Sequence, residues 1–143
     1  EVGFVTLHVG LGTFLPVKLE DIREHCMHKE YYECPEETYR KITMAKAQNR
    51  RIIATGSTSC RVLETLACDN KTPHSVGWTN LFIYQPYHFK YVDVLITNFH
   101  LPKTTLLMLV SAFAGRENVL NAYETAKNKG YRFFSYGDCM MIV

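Results

Sequence analysis

The sequence lacks any apolar run long enough to cross a bilayer. Its longest, Leu106 to Ala114, covers nine residues and is interrupted by Ser111, against the ~20 that a spanning helix requires. That stretch is a buried element, and no membrane partner is expected. The five cysteines (Cys26, Cys34, Cys60, Cys68, Cys139) contain no CxxC pair, and their odd number suits reduced thiols in a cytoplasmic protein better than a disulfide framework. No charge of one sign dominates: sixteen Lys and Arg against fourteen Asp and Glu leave +2, so any basic surface must be local. Neither low complexity nor an internal repeat is present. With 47% hydrophobic and 21% charged residues the composition is that of one folded domain, which excludes disorder, collagen and coiled coil. No initiator Met and no signal peptide precede Val2-Gly3-Phe4, so the chain is expected to be an excised piece of something longer.

Phe4 to Val9 alternates as a strand and is closed by Gly10 and Gly12 in a loop running to Pro16. Lys29 to Cys34 reads as a second strand. Pro35-Glu36-Glu37 supplies the N1 proline and first-turn acids of a helix to about Asn49. Arg51 to Thr55 is a short strand, Gly56-Ser57-Thr58-Ser59 a turn with capping hydroxyls, and Arg61 to Ala67 a helix with Val62, Leu63 and Leu66 inward. Asp69 to Gly77 is polar and reads as a loop, followed by strands at Leu81 to Tyr84 and Tyr91 to Thr97. Thr104 to Ala114 is expected to be a core helix, and an amphipathic helix from Glu117 stops at Gly130 before the aromatic tail YRFFSYGD. Strands alternating with helices predict an α/β fold, a mixed sheet flanked by helices on both faces.

Several groups could carry chemistry. Hydroxyls of Ser57, Thr58 and Ser59 at a helix N-terminus, with Arg61, would suit a phosphate or carboxylate. An ordinary N-cap is the commoner meaning of such a string. Asn98-Phe99-His100-Leu101-Pro102 follows the expected central strand at its carboxyl end, where open α/β sheets place ligands, and His100 could act there as acid or base near neutral pH. A loop histidine bonded to backbone is equally compatible with that position. His25, His28 and Glu30 cluster in sequence, but no second spaced pair completes a metal set, so no metal is expected. His8 precedes the glycine loop, either meeting a ligand there or half-buried in a strand. Arg40 to Arg61 holds Arg40, Lys41, Lys46, Arg50, Arg51 and Arg61 without an acid. It forms either a phosphate-contacting stripe or a solvated helix face. The tail aromatics beside Asp138 suit base stacking or core packing.

Taken together, VTLHVGLGTF, EHCMHKEYYE, ATGSTSCRVLE, GWTNLFIY, VDVLITNFHLPKTTLLMLVSAFAG and YRFFSYGDCMMI closely resemble the C-terminal portion of the S-adenosylmethionine:tRNA ribosyltransferase-isomerase family of queuosine biosynthesis. The likeness spans all 143 residues in order. The family's usual Thr-Thr-Ser-Val-Arg is here Ser57-Thr58-Ser59-Cys60-Arg61, and its Tyr-Pro-Gly-Tyr is here Tyr84-Gln85-Pro86-Tyr87.

The resemblance implies residues 1–143 to be the C-terminal α/β part of a two-domain protein whose upstream region contains a β-barrel. It implies transfer and isomerisation of the ribosyl group of S-adenosylmethionine, a substrate rather than a bound cofactor, onto 7-aminomethyl-7-deazaguanine at the tRNA wobble position. Epoxyqueuosine, adenine and methionine result. On that basis His100 and His8 are acid/base candidates and Asn98 a substrate-orienting residue. Ser57, Thr58, Ser59, Arg61, His25, His28, Glu30 and Asp138 are substrate-binding candidates, with Arg50 and Arg51 for tRNA. The full-length protein is expected to be a cytoplasmic monomer. The alternative is a non-catalytic module that binds tRNA or nucleotide.

Overall fold

The computed structural model describes residues 1–19, 21–68 and 75–143. Twelve-residue helices α1 (Glu36–Ala47) and α2 (Ser57–Cys68) are followed by α3 (Thr105–Ala114) and α4 (Arg116–Asn128). Six strands, β1 (Thr6–Leu7), β2 (Glu30–Cys34), β3 (Ile53–Thr55), β4 (Ser75–Thr79), β5 (Val94–Asn98) and β6 (Cys139–Ile142), divide between two sheets. One is antiparallel in the order β1-β2-β4, and the other is mixed, with β5 central, parallel to β3 and antiparallel to β6. The α/β class with a mixed sheet and helices is therefore present, extended by a second, purely antiparallel sheet.

Local sequence explains most boundaries. Gly56 adopts φ +95°, a conformation open to glycine, and its N–H donates to Ile96 O at 2.8 Å, which turns the chain from β3 into α2. Thr104 caps α3 by accepting from Leu107 N–H and donating to Leu101 O. Gly115, at φ +84°, separates α3 from α4.

Two strands depart from the sequence pattern. The strand expected at Leu81 to Tyr84 lies instead at β4, with Gly77 opposite Tyr32. A Cβ on Gly77 would stand 3.1 Å from Tyr32 Oη, so the glycine that looks like a loop residue is what lets the tyrosine lie across the strand. Of the expected loop, Asp69 to His74 lies outside the described residues. The tail, read as aromatic coil, continues into β6.

The core also centres elsewhere than expected. α2 packs against β1 and β4 of one sheet, β3 and β5 of the other, and α3. Its burial is nearly all round and includes Cys60, Val62, Leu63 and Leu66 together with Arg61 and Glu64. α3, the more apolar helix, is fully buried only through Thr105, Leu106, Leu109 and Val110. No disulfide links the five cysteines, and no helix among the described residues is long and apolar enough to cross a membrane.

Candidate functional site

The carboxyl ends of the parallel strands β3 and β5 lie side by side, Thr55 opposite Ile96. The chain therefore leaves both strands at one edge. Ser57, Thr58 and Ser59 begin α2 there, where first-turn N–H groups have no intrahelical partners. Asn98 and His100 leave β5 at the same edge. Ser57 is buried, Thr58 and Ser59 half-buried.

The glycine loop joins this edge through α3. Thr105 Oγ1 donates to Thr13 O at 3.3 Å, and Val17 N–H donates to Lys103 O at 2.8 Å. Glu30 fixes the loop from behind. Its Oε1 accepts from Gly10 N–H (2.8 Å) and the Thr13 hydroxyl (2.6 Å), while Oε2 pairs with Arg61 Nη1. Burial alone would raise the Glu30 carboxyl, but these donors together hold it below the usual range.

Arg61, expected at the surface for an anion, is thus drawn inside, 3% exposed. Its Nε donates to Leu81 O at 3.3 Å, and Nη2 is the one buried side-chain nitrogen or oxygen without a partner among the described residues. The guanidinium ties α2 to β2 through Glu30 and to the chain at Leu81.

His28 is exposed, and its ring lies where a Cβ on Gly12 would be, so the absence of a side chain at Gly12 makes the approach possible. His25 is half-buried, edge-on to Phe82 at 5.1 Å. His8 is exposed on the outer face of the antiparallel sheet, 5.7 Å from Tyr31.

At the end of β5, His100 Nε2 lies 2.9 Å from Thr97 Oγ1, and its backbone N–H donates to Tyr123 OH at 2.8 Å. Burial pushes the imidazole down to about 4, so the ring is neutral at physiological pH. Asn98 Nδ2 donates to Gly137 O (3.3 Å) and Asp138 O (3.2 Å), holding the tail to the strand. Asp138 accepts Arg132 N–H at 2.7 Å and stands 3.2 Å from Arg132 Nη2; the backbone donor, then the guanidinium, keeps its carboxyl low.

A separate cleft of about 720 Å³ opens between residues 1–5, α1 and β3. Lys41, Arg50 and Arg51 line it, and Ser59 from the first turn of α2 reaches it, with Glu1 as the acid. Of the predicted residues, Ser57, Thr58, Asn98 and His100 lie at the strand ends with Glu30 and Arg61 behind, and Ser59, Arg50 and Arg51 line the basic cleft. His8 on the antiparallel sheet, His25 against Phe82, His28 at Gly12 and Asp138 in the tail are not brought into either group. Sequence reading missed Thr13, Tyr123 and Thr97; of these Thr13 had a signal, a hydroxyl placed among the glycines of a loop beside a charged strand. No three His, Cys, Asp or Glu side chains among the described residues are grouped to hold a metal.

A family model described as queuosine biosynthesis protein matches residues 1–142. Curated relatives named S-adenosylmethionine:tRNA ribosyltransferase-isomerase include one from Staphylococcus aureus (strain Newman), 57% identical over 144 residues, and one from Carboxydothermus hydrogenoformans, 59% identical over 143. Each alignment covers all of this chain and 42% of the relative, so the chain spans about two fifths of their length. The crystal structure of an S-adenosylmethionine tRNA ribosyltransferase from Thermotoga maritima superposes with a TM-score of 0.77 at 52% identity, over 80% of this chain and 41% of that one.

Proposed function

The chain belongs to the queuosine biosynthesis protein family, and from that premise we propose that it is the C-terminal α/β portion of a cytoplasmic, monomeric S-adenosylmethionine:tRNA ribosyltransferase-isomerase. A β-barrel-containing region upstream completes the protein. S-adenosylmethionine is the ribosyl donor and tRNA bearing 7-aminomethyl-7-deazaguanine the acceptor, with epoxyqueuosine, adenine and methionine as products. The observation that carries this reading is the meeting of the α2 hydroxyl turn, the Asn98 to His100 segment and the glycine loop on one edge of a parallel strand pair, the position where α/β sheets bind ligands.

The chemistry needs a base for a proton acidified by the neighbouring sulfonium, an acid for departing adenine, and a hold on the methionine carboxylate. His100, at the end of β5 beside Thr97, is the base candidate by position. His8, exposed and next to the glycine loop, is the donor candidate. Ser57, Thr58 and Ser59 with the N-terminal dipole of α2 receive the carboxylate. Asn98 and Asp138 orient substrate through the tail that they hold, and Glu30 and Arg61 by fixing the glycine loop. His28, against Gly12 of that loop, and His25, against Phe82, are the remaining substrate-binding candidates. Arg50 and Arg51, with Lys41, contact tRNA phosphates in the basic cleft.

Nucleoside mass spectrometry of tRNA carrying 7-aminomethyl-7-deazaguanine tests the proposal, after incubation with S-adenosylmethionine and this chain, or the chain with an upstream region restored. Epoxyqueuosine from either supports the enzyme, and His100→Ala should abolish adenine release while sparing tRNA binding. The basic cleft favours a second reading, a tRNA-binding module without catalysis. Binding without product from the folded longer chain would select it.

A further inference from the structure

The loop between α4 and β6 holds two aromatic residues in left-handed backbone. Among the described residues four non-glycines have positive φ, and three of them, Lys103 (+60°), Phe134 (+70°) and Tyr136 (+61°), lie in the two segments that build the end of β5. Aromatic residues rarely adopt this region, and such conformations persist only where surrounding contacts over-determine them. Here they do. Arg132 N–H donates to Asp138 Oδ2, Asp138 N–H returns to Arg132 O at 2.8 Å, and Gly137 N–H donates to Phe134 O at 3.1 Å. Phe134 N–H donates to Phe99 O at 2.9 Å, the Asn98 amide holds two further carbonyls, and the Phe133 ring stacks on Phe99 at 4.8 Å.

What this frame presents is Tyr136, whose side chain contributes to no packing: the residue is 99% exposed, and Phe134 beside it is 47% exposed. An aromatic ring carried on a backbone held in place and directed away from its own core can serve as a stacking platform, and Arg132 and Lys103, both exposed, add cations on the same two segments. Asp138, the acid there, is already engaged by Arg132. We propose that Tyr136, supported by Phe134, stacks on an unpaired base of the tRNA anticodon loop, with Arg132 and Lys103 meeting the flanking phosphates. This rests on the tRNA reading above and adds to it a base contact outside the residues that line the basic cleft. Stacking needs only an accessible ring face, so the occupant is single-stranded; a duplex offers none.

The test is binding of the protein to an anticodon stem-loop hairpin carrying 2-aminopurine at each loop position in turn. Tyr136→Ala should weaken binding roughly five- to a hundredfold, the range of a lost base–aromatic stack, and abolish the fluorescence quench at one position. Tyr136→Phe, which keeps the ring, should bind within about twofold of the parent, and thermal melting of both variants should be unchanged because the side chain is outside the fold. Tyr136→Ala with parental affinity and quench overturns the platform. If Arg50→Glu with Arg51→Glu still weakens binding in that case, the tRNA reading stands without it. Absence of hairpin binding by the unaltered protein overturns both.

Discussion

Arg61 and Glu30 set the sharpest expectation for a single side chain. Arg61→Ala would leave a buried carboxylate with only the Thr13 hydroxyl and Gly10 N–H as donors. Breaking a buried pair from one side costs about 3–5 kcal/mol, which urea denaturation would read as a lowered midpoint at unchanged slope. Because the Glu30 carboxyl is held below its ordinary value, its contribution is present above about pH 4.5 and is lost as pH falls through the lowered folded value. His100 titrates in a higher window. The unfolded imidazole binds its proton near 6.5 and the folded one only near 4. The stability of the neutral, buried ring is therefore complete above pH 6.5 and is lost progressively down to about 4. His100→Gln should lack this component, so the gap in melting temperature between parent and variant should narrow or reverse between pH 7 and about 4.5.

At the level of elements, α2 governs more than its sequence advertises. Glu64, fully buried, accepts the backbone N–H of Lys90, Tyr91 and Val92 at 2.9 Å each and the Tyr87 hydroxyl at 3.2 Å, so it anchors the chain that enters β5. Burial, then the Glu64 charge, drives the Tyr87 phenol upward and keeps it a donor. Glu64→Gln would turn an amide NH₂ toward at least one of these donors, and a loss of about 2–3 kcal/mol is expected by chemical denaturation. This explains where the sequence was legible. α1, α2, β2, β3 and β5 follow from periodicity and punctuation, since Pro35, Gly56 and the VDVLIT run each act locally. α3 is the core helix that its apolar run predicts, but the deeper burial of α2 was not legible, because Arg61 and Glu64 are buried by partners 31 and 26 to 28 residues away in sequence. β4 was hidden for the same reason: Gly77 reads as a turn until Tyr32 is placed opposite it. At the site, the Ser57 turn and the Asn98 to His100 segment were each legible as local strand ends, but their meeting on one edge and the Glu30–Arg61 link were not, because pairing between separate segments leaves no local mark.

For the whole molecule, charge and apolar surface divide the exterior by use. Lys41, Arg50 and Arg51 gather on one cleft although the chain carries only +2. Arg50→Glu with Arg51→Glu should weaken tRNA binding and flatten the dependence of log K on log salt by roughly one unit for each phosphate left without its cation, measured by a salt titration of affinity. On the antiparallel sheet Val76 and Trp78, two apart on edge strand β4, are 60% and 66% exposed. The central position of α2 has a last consequence. Because α2 packs against strands of both sheets, opening either sheet disturbs the cover of the other, and the chain should unfold as one cooperative unit. Amide exchange would then show strands of the two sheets released together, at the same opening free energy, with α2 the slowest element in the molecule.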